Sequence, residues 1–219
     1  LGRKEFITSL DINMNEIPGT KGYDRFVSCF VESSQSLSFK EAYKDFIQFL
    51  PPISGRVLDV GAGAGQNSAA LAELGYSVVA VEPMSEFLDA ARIKYSSLPI
   101  SWLSGNLPMI ECLASDQRKF DLILVIGVWH HLNEVERAQA MERLASLLNN
   151  GGICAFSLRN GPPGIGTHVY PTDANHTVKQ AKQMGLTCIF IEEDQPSILK
   201  NKDDVKWARL VFRSSNIHF

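Results

Sequence analysis

Between Val57 and Gly65 the chain reads Val-Leu-Asp-Val-Gly-Ala-Gly-Ala-Gly, and a second apolar run, Val78 to Val81, ends in Glu82. Glycines between a strand and a helix N-terminus let the backbone approach a ligand closely, and the helix end offers free N–H groups. A carboxylate at the tip of the next strand can accept both hydroxyls of a ribose. Gly61, Gly63, Gly65 and Glu82 therefore predict a ribose-bearing cofactor. Spacing argues against a dinucleotide, because GxGxxG requires glycine or alanine where this chain has Gln66.

Two further clusters carry candidate chemistry. Gly127-Val128-Trp129-His130-His131-Leu132 follows the most apolar run of the chain. His130 and His131 are candidate general bases near neutral pH, and since adjacent histidines point in different directions, which of them faces a ligand stays open. Arg159 offers a fork of donors suited to a carboxylate or phosphate. It leads into the loop Gly161-Pro162-Pro163-Gly164, after which His168 and Tyr170 are candidates to shape an acceptor pocket. No metal is expected, because there is no CxxC or HExxH and two neighbouring histidines cannot readily chelate one ion.

Periodicity supplies the elements that must hold these residues. Phe39 to Leu50 has helical spacing and stops at Pro51-Pro52. Strands are expected at Arg56–Val60, Tyr76–Val81, Ile100–Leu103, Phe120–Val128 and Ile153–Leu158. Helices are expected from the glycine loop to Leu74, at Ser85–Tyr95 with Ser85 as N-cap, at Glu134–Leu148 closed by Asn149 to Gly152, and at Thr172–Met184 opened by Thr172 or Asp173. Such alternation predicts a doubly wound α/β fold, a mostly parallel seven-stranded sheet with helices on both faces. Thr187–Ile191 and Val205–Phe212, with no helix between them, predict a C-terminal antiparallel hairpin. Residues 1–52 are expected to form a helical cover and 53–219 the core.

Composition excludes several classes. In 219 residues, 45% are hydrophobic and 21% charged, with 21 Lys and Arg against 24 Asp and Glu. The net charge of -3 gives no strong positive field for a polyphosphate, so nucleic acid is a poor partner. The longest apolar run, Leu122 to Trp129, falls far short of the roughly 18 residues of a membrane-spanning helix. The start, Leu1-Gly2-Arg3-Lys4-Glu5, has no signal-peptide h-region, and Cys29, Cys112, Cys154 and Cys188 are widely spaced. A cytoplasmic protein with reduced thiols is expected.

The acidic residue followed by GxGxG, Asp59 with Gly61, Gly63 and Gly65, together with Glu82, resembles the first motifs of the class I S-adenosylmethionine-dependent methyltransferases. The resemblance covers roughly Tyr23 to Phe212. It implies that Asp59, Ala62 and the Gly61, Gly63 and Gly65 backbone line the methionine half of S-adenosylmethionine, that Glu82 holds the ribose, and that Pro83 and Met84 lie against adenine. Where relatives often carry an acid for the adenine amino group, this chain has Asn106 followed by Leu107. The resemblance also implies that Gly127 borders the cofactor and that Tyr23 belongs to a lid. Methyl transfer would be an in-line displacement onto an O, N or S nucleophile, and a base is required only if the acceptor must lose a proton. The preferred acceptor is a small molecule. A protein or RNA acceptor, or a non-catalytic cofactor-binding module, are the alternatives, and the oligomeric state stays open.

Overall fold

A computed structural model describes residues 17–199 and 202–215. Seven strands form one sheet: β1 (Arg56–Val60), β2 (Ser77–Glu82), β3 (Ile100–Ser104), β4 (Phe120–Ile126), β5 (Leu148–Asn160), β6 (Leu186–Pro196) and β7 (Lys206–Ser214). Their spatial order is β3-β2-β1-β4-β5-β7-β6. The first five are parallel, and β7 runs antiparallel to both β5 and β6. The doubly wound sheet with its C-terminal hairpin is thus as expected.

Among the described residues seven α-helices surround it: α1 (Val27–Gln35), α2 (Phe39–Ala42), α3 (Lys44–Ile47), α4 (Gln66–Glu73), α5 (Ser85–Lys94), α6 (Glu134–Leu147) and α7 (Ala174–Gln183). The period-two alternation of a strand divides the core into two layers. Val57, Val78, Leu122, Leu124 and Ala155 point to the side of Phe39, Phe46 and Leu71. Leu58, Val79, Ile123, Val125 and Phe156 point to the side of Met141, Leu144 and Ala181. Apolar residues at consecutive positions are what a strand buried on both faces requires.

Several boundaries differ from the sequence pattern, each for a local reason. The helix expected over 39–50 is two short turns, broken at Tyr43 (φ -127°, ψ 28°). The break lets Tyr43 line a cavity while Phe39 and Phe46 stay buried. Ser85 is not the N-cap of α5; Met84 is, and the Glu82 carboxylate accepts the Met84 N–H. α6 runs directly into β5, so Asn149 to Gly152 belong to the strand instead of closing the helix. β4 ends at Ile126, because Gly127 turns the chain at φ +70°. Asp173 is the N-cap of α7, accepting the His176 N–H at 2.6 Å.

From β1 the chain winds outward through β2 to β3, then returns to β4 on the other side of β1. Beyond the carboxyl ends of β1 and β4, where the winding reverses, an open α/β sheet leaves its ligand crevice.

Ile123 is fully buried at the centre of β4, whereas Ile93 on α5 is 78% exposed. Ile123→Ala should cost about 2–5 kcal/mol of stability from lost burial and the cavity left behind. Ile93→Ala should change it by about 0.5 kcal/mol or less. Urea unfolding of the two variants checks the contrast.

Candidate functional site

A cavity of about 430 Å³ occupies that crevice. Its floor is the loop after β1. Gly61 adopts φ +69°, and a Cβ there would lie 2.3 Å from Val128 Cγ2, so only glycine permits the close approach of the β1 and β4 ends. Gly61, Ala62 and Gly63 line the cavity; Gly65 does not. Gly65 caps α4 in the left-handed region, where a Cβ would sit 2.6 Å from Trp102 and 2.9 Å from Ala91. Its lack of a side chain is needed for packing.

Glu82, at the end of β2, ties this floor together. Its Oε2 accepts the Gly63 N–H and its Oε1 the Met84 N–H, both at 2.9 Å. Burial pushes its pKa up to about 7, against the pull of the two N–H donors, and the Asp59 charge adds to the rise. Asp59 itself lies behind the loop, fully enclosed, with Ser68 Oγ donating to its Oδ2 at 2.6 Å. Burial pushes its pKa up to about 6. Asp59 is absent from the cavity wall; it anchors α4 through Ser68 and acts electrostatically on Glu82.

Around this floor stand Pro83, Met84, Asn106, Leu107 and Gly127, all lining the cavity. Asn106 Nδ2 donates to the Leu107 carbonyl at 2.7 Å, which leaves its Oδ1 to accept from a ligand amine. Two residues that the sequence pattern does not single out also belong here. Gln66 and Asn67, in the first turn of α4, line the cavity, and Gln66 Oε1 and Asn67 Oδ1 are buried without partners. Buried polar atoms without partners are costly, and these two mark where a ligand's donors would sit. The only sequence signal for them is their place just after the glycine loop.

The wall toward β5 holds His130, His131 and Arg159. His131 Nδ1 lies 2.7 Å from the His168 carbonyl and its Nε2 lies 3.2 Å from Tyr23 Oη. A carbonyl only accepts, so Nδ1 donates and Nε2 accepts the Tyr23 hydroxyl proton. Both nitrogens of His131 are engaged, so the ring tethers Tyr23 to the His168 carbonyl. Burial also holds His131 below the usual imidazole range. His130 Nδ1 is buried without a partner, and burial beside His131, Arg159 and Arg137 holds the ring uncharged. His168 contributes its carbonyl, and its ring packs edge-on to Tyr170 with centroids 5.1 Å apart. Neither His168 nor Tyr170 lines the cavity, although Gly166 and Val169 of the same loop do.

The roof comes from the N-terminal segment. Tyr23 sits edge-on to Phe30 at 5.2 Å and to Phe87 at 6.0 Å, and Phe30 stacks on Phe87 at 4.5 Å. Burial raises the Tyr23 pKa to about 12, so its hydroxyl stays a donor. The Thr167 N–H bonds to the Lys21 carbonyl at 3.0 Å, and Gly166 packs so tightly that a Cβ would lie 2.5 Å from the Tyr23 ring. Residues 1–16 of the expected cover lie outside the described residues.

Comparison with known proteins agrees with this architecture. Residues 57–152 match the family described as Methyltransferase domain. An uncharacterized methyltransferase of Mycobacterium tuberculosis (strain ATCC 25618 / H37Rv) is 38% identical over 103 residues, which is 47% of this chain and 39% of that relative. The match therefore spans well under half of the relative's length. The crystal structure of a TehB-like SAM-dependent methyltransferase from Corynebacterium glutamicum superposes with a TM-score of 0.63 at 18% identity, covering 89% of this chain and 98% of that one. Magnesium protoporphyrin IX methyltransferase from Synechocystis PCC 6803, solved with bound SAH, superposes with a TM-score of 0.59 at 16% identity over 89% of this chain and 84% of that one. At such identities the likeness is one of fold. The matched segment spans less than half of the chain, and over it the chain is similar to methyltransferase domains.

Two predictions follow from the geometry. The carboxyls of Glu82 and Asp59 have raised pKa values in the folded chain, about 7 and 6 against ordinary values of 4.5 and 3.8. The folded state thus retains protons that the unfolded chain releases, so the stability these groups contribute is present at low pH and lost as pH rises toward 7. Thermal unfolding of the ligand-free protein should show the Tm of Glu82→Gln rising relative to wild type between pH 5 and pH 8 (about 1–3 kcal/mol); a difference independent of pH would contradict this. Tyr23→Phe removes the bond to His131 and should cost about 0.5–1.5 kcal/mol. Amide hydrogen exchange should then quicken over residues 18–30 while β1 and β4 remain protected.

Proposed function

We propose that this chain transfers the methyl group of S-adenosylmethionine to a small-molecule O, N or S acceptor held in the cavity. The observation that carries the reading is the buried Glu82 carboxylate, fixed between the Gly63 and Met84 N–H groups at the end of β2, beside the crevice. Each Glu82 oxygen accepts one backbone N–H and has lone-pair capacity left for a ribose hydroxyl. Asn106 Oδ1 suits an adenine amino group, with Pro83, Met84 and Leu107 as apolar contacts. The backbone of Gly61, Ala62 and Gly63 and the unpartnered amide oxygens of Gln66 and Asn67 suit the amino-acid end.

The bound cofactor supplies a methyl already activated by its sulfonium. What remains for the chain is to hold an acceptor atom in line, about 3–3.5 Å away, and to exclude water. Residues 17–52 act as the cover, with Tyr23 latched to His131. His130, uncharged and on the acceptor side, receives a hydrogen bond from the acceptor. A ring held so far from protonation is a weak proton store, which favours acceptors that reach the site as ready nucleophiles. A roofed cavity supports a small acceptor over a protein or RNA. Four unpaired cysteines support a cytoplasmic setting, and no described helix is long and apolar enough to cross a membrane.

Isothermal titration tests the reading. S-adenosylmethionine and S-adenosylhomocysteine should bind and NAD should not. Glu82→Ala, which removes a charged acceptor of hydrogen bonds, should weaken binding about 10- to 100-fold. Heat with NAD alone would sink the proposal.

A further inference from the structure

The cavity has two ends with different chemistry. Glu82 closes the end at β2, and Arg159 stands at the end of β5. β1 and β4 lie between these strands, so the two ends are three inter-strand spacings apart, about 14 Å. Tyr23 bridges the middle, within electrostatic reach of both Glu82 and Arg159.

At the β5 end two cations converge. A Cβ built on Gly164 would lie 3.9 Å from Arg159 Nη2 and 4.0 Å from Lys202 Nζ, and all three residues line the cavity. Among the described residues, neither cation has a carboxylate partner. Arg209, which also lines the cavity, is paired with Asp45. The two cavity carboxylates are engaged elsewhere, Glu82 by backbone N–H groups and Glu136 in the capping box of α6. Two like charges facing one space repel unless an anion lies between them. The guanidinium is already aimed: Nη2 donates to the Pro162 carbonyl at 2.6 Å and Nη1 to that of Gly161 at 3.4 Å, which leaves donors of the planar fork unused. Gly164 has no side chain to fill the space between fork and ammonium.

The surroundings of these cations are apolar. Trp207 pairs with Arg159 across β5 and β7 and stands edge-on to His130 at 6.4 Å. Ile165, Ile198 and Leu199 complete the wall, the last two being 51% and 39% exposed. One fork and one ammonium match a planar carboxylate, and the wall matches a hydrocarbon body.

We propose that the methyl acceptor is a small, largely apolar molecule bearing a carboxylate, anchored by Arg159 and Lys202 at the β5 end while its nucleophile points toward the cofactor. The assignment rests on the methyltransferase reading and adds the acceptor's chemical class. The anchor is a specificity element: it selects for charge and leaves the reacting atom to differ between acceptors.

The test uses the full chain saturated with S-adenosylhomocysteine, titrated calorimetrically with butyrate, hexanoate, octanoate and decanoate, each beside its primary amide. At least one carboxylate should bind about 10-fold more tightly than its amide. That preference should vanish in Arg159→Gln and shrink in Lys202→Gln, with Arg159→Lys between wild type and Arg159→Gln, and all variants should hold S-adenosylhomocysteine as wild type does. Retained cofactor affinity certifies that each variant is folded. Absence of any carboxylate preference in wild type, its survival in the Arg159→Gln Lys202→Gln double variant, or tighter binding of an alkyl phosphate of equal length would overturn the acceptor assignment alone. Failure of wild type to take up S-adenosylhomocysteine would overturn the methyltransferase reading, and the acceptor assignment with it.

Discussion

Everything on the cofactor side of the cavity depends on one buried carboxylate. Glu82 accepts from Gly63 on one side and Met84 on the other, which locks the loop after β1 to the end of β2 and orients the first turn of α5. Removing a carboxylate from water is costly, and two backbone N–H bonds return only part of that cost. The residue is consequently left part-protonated near neutral pH in the ligand-free protein, a condition that hydroxyl donors would relieve. The stability of the loop and its capacity to bind are therefore two aspects of one electrostatic balance, with Asp59 and Ser68 behind it setting the local field.

Much of this was legible in the residues. Strands such as Phe120–Ile126 announce themselves because both faces are buried and no polar residue interrupts the interior for long. The glycines could be read as a ligand loop, yet glycine serves two purposes, and only the structure separates Gly63, which lines the cavity, from Gly65, which makes room for Trp102. Asp59 could be placed on its strand, but its bond to Ser68 could not be read from the sequence, since a partner on α4 is set by tertiary packing. Gln66, Asn67 and Lys202 carry no motif. Their significance comes from having no partner, or from converging with residues distant in the chain, and neither condition is written locally. The break at Tyr43 was hidden for the same reason: helical spacing records what can be buried, while the cavity decides where the ring goes.

The two ends of the crevice follow from the sheet's winding. Strands β1 and β2 carry the Glu82 end, and β4, β5 and β7 carry the Arg159 end. The antiparallel insertion of β7 beside β5 places Trp207 opposite Arg159. An uninterrupted parallel sheet would have put a crossover helix there instead. The hairpin is thus what gives the second half of the cavity a wall of its own.

The bond between Tyr23 and His131 joins residues 108 positions apart, and the pair of Asp45 with Arg209 spans 164. Contacts at such separations form only after the intervening chain has been ordered, because closing a long loop costs entropy before any contact repays it. The roof segment precedes in the chain the residues after β4 and β5 on which it rests. The roof is thus held from two directions: by the nearby Phe87 of α5, and by His131 and the loop beyond β5, whose contacts carry the larger loop-closure cost.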